Sequence, residues 1–232
     1  VYTGGFGAEF GGRVSSVMDI KTRDGNKKRI SGKIDMSNIG AQVLLEGPLV
    51  KLKDDRKTSL SFILSGKGSF LQQSAKVFYP YIKDENGLPY NFLDVYGKLT
   101  LATQGGTKLN IFGFNFMDRV NYTSAVKYNW NNWGVGANFL IVPGTANTTI
   151  EGTFAYSNYE SKILDPAYTI SGKDYNKRTR TGGFNFNMVF NYYIGKSVFN
   201  IGLNAVGFTT EYDYYTKYGE KEYPTDHTTD FS

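Results

Sequence analysis

Few side chains in this sequence can do covalent chemistry. Its 232 residues include no cysteine and a single histidine, His227. Thiolate nucleophiles, disulfides, Cys-containing zinc or iron–sulfur sites and multi-histidine metal sites are therefore excluded. A Ser-His-Asp triad would have to use His227, which sits in the polar stretch Tyr223-Pro224-Thr225-Asp226-His227-Thr228-Thr229; a lone exposed histidine is more simply a surface residue than a contact to a metal chelate. The glycines between Gly4 and Gly12 do not fit GxGxxG, and no strand precedes them to form a dinucleotide fingerprint. The sequence thus predicts no enzyme, no metal and no cofactor. The residues best suited to binding are aromatic. Phe78, Tyr79, Tyr81, Tyr168 and Tyr175 fall in long connections, and their ring faces can stack on sugars and flat chelates.

Charge narrows the partners further. The net charge is +5 and the isoelectric point about 9.1, which would suit nucleic acid if the basic residues shared one face. The densest runs, Lys21 to Arg29 and Lys51 to Lys57, are interrupted by Asp or Gly and read as solvated turns, so no nucleic-acid partner is expected. No window holds about eighteen consecutive apolar residues, which excludes a transmembrane helix. The sequence opens at Val1 without a charged n-region or an apolar h-region, and is expected to be a mature segment or a fragment. A mean hydropathy of −0.37 looks soluble, but that average conceals an alternation, and a membrane β-barrel has the same average.

The alternation defines the elements that must hold these side chains. Ile150, Gly152, Phe154 and Tyr156 oppose Glu151, Thr153, Ala155 and Ser157; Phe184, Phe186, Met188, Phe190 and Tyr192 oppose Asn185, Asn187 and Asn191. Further period-two runs lie at Phe199–Ala205, Trp133–Ile141, Leu93–Leu101, Leu60–Leu64, Ala41–Glu46 and Lys33–Ser37, each a strand with one apolar and one polar face. In Lys108 to Asp118 the apolar residues switch parity, from Leu109 and Ile111 to Phe112, Phe114 and Phe116, and a bulge is expected. No helical period competes, so an all-β meander of about nine or ten strands follows. Connections alternate between short ones, as at Gln104–Thr107, Pro143–Asn147 and Gly195–Lys196, and long ones at 72–91, 119–127, 160–181 and from Tyr212 onward. Short turns at one end and long loops at the other are the pattern of an outer-membrane barrel. An Asn/Gly/Ser-rich face suits a wet lumen, and the Phe/Leu/Ile/Val face suits lipid. Tyr122, Tyr128, Trp130, Trp133, Tyr156, Tyr159, Tyr212, Tyr214 and Tyr215 lie towards the long-loop ends, as an interfacial aromatic belt would. A secreted β-sandwich that binds glycans through exposed aromatics is the alternative from another class.

Residues Val1 to Asn26 differ from the rest, with Val14 to Thr22 expected to form one short strand. Ala8-Glu9-Phe10-Gly11-Gly12-Arg13-Val14-Ser15-Ser16-Val17-Met18-Asp19-Ile20 resembles the closing segment of the plug domain of TonB-dependent outer-membrane receptors, in the variant common in the Bacteroidetes. Leu45-Glu46-Gly47-Pro48-Leu49 resembles the Glu-Gly-Pro stretch that ends an early barrel strand, and Leu88-Pro89-Tyr90-Asn91-Phe92-Leu93-Asp94 the lead-in to a later one. The resemblance implies a plug end at 1–26 and, at 27–232, the N-terminal part of an antiparallel up-and-down transmembrane β-barrel of about twenty-two strands. It implies a transport receptor in the outer membrane of a Gram-negative bacterium, importing a siderophore, cobalamin, oligosaccharide or peptide with energy from the TonB complex. The implied partners are outer-membrane lipids, the transported ligand and, in some relatives, a surface lipoprotein lid. A passive pore or structural barrel is the alternative within the same membrane. In the family, plug arginines meet carboxylates of the inner wall. Glu46 has the inward parity of Gln42, so Arg13 and Glu46 form a candidate plug–barrel contact, with Glu46 facing lumen water as the alternative.

Overall fold

The computed structural model of the chain describes residues 15–18, 20–51, 57–81, 88–121, 126–144, 147–165, 175–218 and 221–231, with side chains omitted at 175 and beyond 213. Ten strands form a single sheet in sequence order: β1 (Ser31–Met36), β2 (Gly40–Val50), β3 (Thr58–Ser69), β4 (Tyr90–Thr103), β5 (Lys108–Asn121), β6 (Lys127–Ile141), β7 (Thr148–Asp165), β8 (Tyr175–Ile194), β9 (Ser197–Tyr218) and β10 (Lys221–Phe231). Every neighbouring pair is antiparallel, so the chain is an all-β, up-and-down sheet. Among the described residues, β1 and β10 each pair on one side only.

The register turns the sequence alternation into rows across the sheet. One row runs Leu60, Leu101, Leu109, Phe139, Gly152, Met188, Leu203 from β3 to β9. The next row runs Phe62, Leu99, Ile111, Ala137, Phe154, Phe186, Ala205. These side chains share one face because side chains two apart in a strand point the same way and directly paired residues stand side by side. That apolar face is bare: Phe199, Ile201 and Leu203 are 65, 67 and 58% exposed, far more apolar surface than a soluble monomer shows to water.

Three expectations fail, each for a physical reason. Lys108–Asp118 contains no bulge, since β5 keeps a continuous register with both neighbours. Instead Phe112 and Phe114 lie on the opposite face, over Gly136 and Gly134 of β6, where any Cβ would collide with their rings. Residues 160–165, 175–181, 213–218 and 221–231 are not loop. β7, β8 and β9 run to 18, 20 and 22 residues, against the ~10 that cross a bilayer. Their ends nearest the long connections are held by opposite charges: Glu160 faces Arg180 in register and also pairs with Arg178 at 2.6 Å and Lys162 at 2.8 Å, while Arg180 and Arg178 face Glu211 and Asp213. Such cross-strand pairs favour continued pairing. His227 accordingly stands in β10 opposite Tyr212 rather than in a loop. Lastly, Val14–Thr22 forms no strand in its described part, where Val17 makes only an isolated bridge.

Two details complete the frame. The register of β2 on β3 shifts between Pro48 and Val50. Pro48 lacks an N–H, and β1 ends its pairing at Glu46, so the missing donor falls where no partner strand needs it. The β3–β4 connection contains the short helix α1 (Leu71–Phe78) with Ser74 and Ala75 buried; the sequence reading found no helix there. The tight turns sit at the other end of the sheet, where Gly195 and Gly106 take φ of 58° and 88°, conformations that glycine adopts without steric cost.

Candidate functional site

The face opposite the apolar rows carries the chemistry. Residues 22–26 lie across β2, β3, β4 and β5 near their short-turn ends and make a dense set of polar contacts. Arg23 reaches Glu46 with both terminal nitrogens, Nη1 to Oε2 and Nη2 to Oε1, the latter at 3.1 Å. Glu46 also accepts the Asn26 backbone N–H at 3.1 Å and the Ser31 hydroxyl at 3.3 Å. A two-pronged guanidinium–carboxylate pair fixes orientation as well as position.

Beside it the polarity reverses. Asp24 lies 3.2 Å from the Lys98 ammonium and 2.7 Å from that of Lys108. Lys98 also donates to the Thr22 and Arg23 carbonyls at 2.9 and 3.4 Å, so its three N–H bonds all have acceptors. Only 5% of the Lys98 side chain is exposed, a burial that an ammonium tolerates when paired and fully hydrogen-bonded. Burial alone would raise the Asp24 carboxyl; the hydrogen bonds from Lys108 and Lys98 outweigh it and hold the group below its ordinary 3.8. Between the two pairs, Gly25 is buried against β3: a Cβ there would fall 1.9 Å from the Phe62 carbonyl oxygen. The Thr22 hydroxyl lies 2.7 Å from the Tyr96 hydroxyl. Behind Lys98 the wall is a ladder of uncharged polar groups, Thr100 donating to Asn110 at 2.8 Å and Asn110 to Asn138 at 2.6 Å.

Within Lys21–Arg29, then, only part is a solvated turn. Lys27, Lys28 and Arg29 are exposed, with the Lys28 and Arg29 N–H groups capped by the Asn26 side chain at 2.9 and 3.2 Å, while Arg23 to Asn26 are docked. Arg13 lies outside the described residues; the arginine found on Glu46 is Arg23. Two clues were present in the sequence: Arg23-Asp24-Gly25 alternates sign beside a residue without a side chain, and Glu46, Lys98 and Lys108 sit at inward parity on strands with apolar outward positions.

The aromatic candidates divide. Phe78 ends α1, and Tyr79 follows it, its hydroxyl accepting from the Asn38 amide at 3.0 Å and its ring meeting Tyr81 edge to face at 6.1 Å. Tyr168 and the Tyr175 side chain lie outside the described residues; the Tyr175 backbone begins β8. A second aromatic group, not expected from the sequence, covers the segment-bearing face towards the long-connection ends. Phe114 stacks on Phe116 at 4.9 Å, Tyr128 on Trp130 at 5.6 Å, and Tyr90 leans on Phe92 at 5.7 Å while donating to Asp118 at 2.9 Å. Of the residues expected to form one aromatic belt, Tyr128, Trp130, Tyr159 and Tyr212 stand on this face by register, whereas Trp133 and Tyr156 meet on the apolar face at 5.6 Å.

No protein-family model matches this chain, and comparison with curated proteins and with solved structures gives no match.

Proposed function

We propose that the chain belongs to a TonB-dependent transport receptor of the outer membrane, with residues 1–26 as the end of the plug and 27–232 as barrel wall. The apolar face meets lipid, the segment-bearing face lines the lumen, and further strands pair with the open edges of β1 and β10 to complete the wall. The protein acts by capturing a ligand on its external side and passing it inward without catalysis. Its energy comes from the TonB complex, and its further partners are outer-membrane lipids and, on the outside, a lipoprotein lid.

The observation that carries this reading is the pairing of two unlike faces on one sheet. Rows of Leu, Ile, Phe and Val stand bare on one side, and a separate stretch of chain is clamped by buried charges to the other. Trp133 and Tyr156 sit at the upper limit of the apolar rows, where amphipathic rings favour a membrane interface. The charged pairs of Glu160, Arg178 and Arg180 begin four residues above Tyr156, in water beyond the lipid. A passive pore would share the lipid face, but the clamped segment gives it no role.

Fractionation tests the lipid face directly. Exported to the outer membrane of a Gram-negative host, the protein should pellet with the membrane and require detergent for extraction. Recovery in the soluble fraction without detergent would overturn the lipid assignment and leave the glycan-binding sandwich. Ligand uptake by the complete receptor that persists in a host lacking TonB would instead favour the passive pore.

A further inference from the structure

Asp24 belongs to the docked segment, whereas Lys98 and Lys108 belong to the wall. Among the described residues no other carboxylate lies within ion-pair distance of either lysine. Glu46, the other carboxylate beneath the segment, is engaged by Arg23. The wall therefore holds two convergent ammonium groups whose counter-charge arrives on a separate stretch of chain. We propose that Lys98 and Lys108 form a binding site for a ligand carboxylate on the lumen wall, which Asp24 fills as a built-in occupant while the segment is docked. This deepens the transport reading and rests on it, since it requires the segment to leave the wall during passage.

The chemistry follows from what remains when Asp24 departs. The Lys98 ammonium loses its charge partner and two carbonyl acceptors together, on a wall where it is almost fully enclosed. A buried ammonium without a counter-ion is strongly disfavoured, so an incoming carboxylate gains what Asp24 gives up. Lys108 has a third of its side chain exposed, which leaves the site open towards the short-turn end, the side through which a ligand leaves the lumen. The Thr100–Asn110–Asn138 ladder stands behind the lysines, and its Thr100 hydroxyl lies 3.4 Å from the Asp24 carboxylate, so a carboxylate there meets two ammonium groups and one hydroxyl. The arrangement favours ligands bearing a carboxylate over neutral ones of equal size.

The test removes the occupant and offers a free one. In the purified full chain in detergent, Asp24→Ala is titrated with ¹³C-acetate and binding is followed by the NMR line width. Saturable broadening is expected in Asp24→Ala. It should be at least about tenfold weaker in wild type, whose site is filled, and in Asp24→Ala/Lys108→Gln, whose site is halved. Equal binding in the double variant, or no saturable binding by a folded Asp24→Ala protein, would overturn the proposal. Should Asp24→Ala not fold, wild type answers by competition. Succinate at about 0.1 M, where surface charges are already screened, should speed tryptic cutting after Lys27–Arg29 beyond sodium chloride of equal ionic strength, and equal rates would overturn it. Membrane fractionation is scored separately. Failure here with the protein in the membrane counts against the carboxylate site alone, and a protein found soluble counts against the transport reading.

Discussion

Replacing Glu46 by glutamine tests the clamp at its most connected atom pair. Glu46→Gln preserves volume but removes the charge that meets Arg23, and it turns one of two acceptor oxygens into a donor. Both oxygens already face donors: Arg23 and Asn26 at one, Arg23 and Ser31 at the other. A net contribution of ~1.5–3 kcal/mol is typical for a hydrogen bond to a charged group. The Arg23 side chain is 58% exposed, and solvent screening places the loss towards the lower figure, about 1.5 kcal/mol. That is roughly a tenfold rise in the population with the segment off the wall.

The cutting sites for reading this population are already in place, since Lys27, Lys28 and Arg29 follow the clamp directly. Trypsin needs an extended stretch of chain, so with opening fast and cutting slow the rate follows the open population. Glu46→Gln should be cut there about ten times faster than wild type, and Arg23→Gln somewhat less. The double variant should be only slightly faster than Glu46→Gln, because both changes delete one interaction. Single-variant rates within about twofold of wild type, or a double variant at the product of the two single effects, would refute a direct clamp between these residues.

Gly25→Ala should release the segment at least as much as Glu46→Gln, because the new methyl meets a backbone carbonyl rather than a movable side chain; the same tryptic assay reads it. On the membrane side, Ile201→Arg in the apolar rows should lower folding stability in bilayers by roughly 2–4 kcal/mol, while Asn204→Arg on the opposite face should change it little; urea titration in liposomes compares the two. The third concerns acid. Burial would raise the Glu160 carboxyl, but hydrogen bonds from Lys162, Arg178 and Arg180 win and bring it from an ordinary 4.5 to about 2. A folded value below the unfolded one contributes stability that is complete above about pH 4.5 and fades as the pH falls towards 2. Undiminished, that gap equals roughly 3 kcal/mol, and screening at the half-exposed partners reduces it to about 1–2 kcal/mol. Hydrogen exchange in the upper parts of β7 and β8 should therefore show protection falling between about pH 5 and pH 2.5 once intrinsic rates are divided out, and Glu160→Gln should remove that pH dependence.

Strand identity was legible because the apolar rows obey a period of two over many residues, as in Phe184 to Tyr192 and Phe199 to Ala205. The upper ends of β7 to β9 were not, because Glu160, Lys162, Arg178 and Arg180 read locally as loop residues. The cross-strand partners of Glu160, Arg178 and Arg180 lie 18 to 35 positions away, and only the register brings those opposite charges together. The clamp was hidden in the same way. Nothing near Arg23 in the sequence marks Glu46 as its partner, and Asp24 meets lysines more than seventy residues later. A basic run reads as a solvated face when its neighbours in sequence are all that can be seen, and Gly25 was the one local sign that a close backbone approach was needed.

β5 shows why parity alone cannot assign such a face. Leu109 and Ile111 stand in the apolar rows, and Phe112, Phe114 and Phe116, no less apolar, stand on the other side. What decides is the strand opposite. Gly136 and Gly134 leave room for the Phe112 and Phe114 rings, so the aromatics fill a depression on the segment-bearing face rather than joining the apolar rows. On β4 to β6 that face gains aromatic rings towards the long connections, where Tyr90, Phe92, Tyr128 and Trp130 stand among the carboxylates of Asp94 and Asp118. A ligand drawn inward along it would meet ring faces before it met Lys98 and Lys108. The order matters physically, because stacking holds flat or apolar parts weakly and reversibly, whereas the paired ammonium groups bind only once Asp24 has moved. On the proposed transport reading, capture and release would be governed by different chemistry on one wall, with the docked segment separating them.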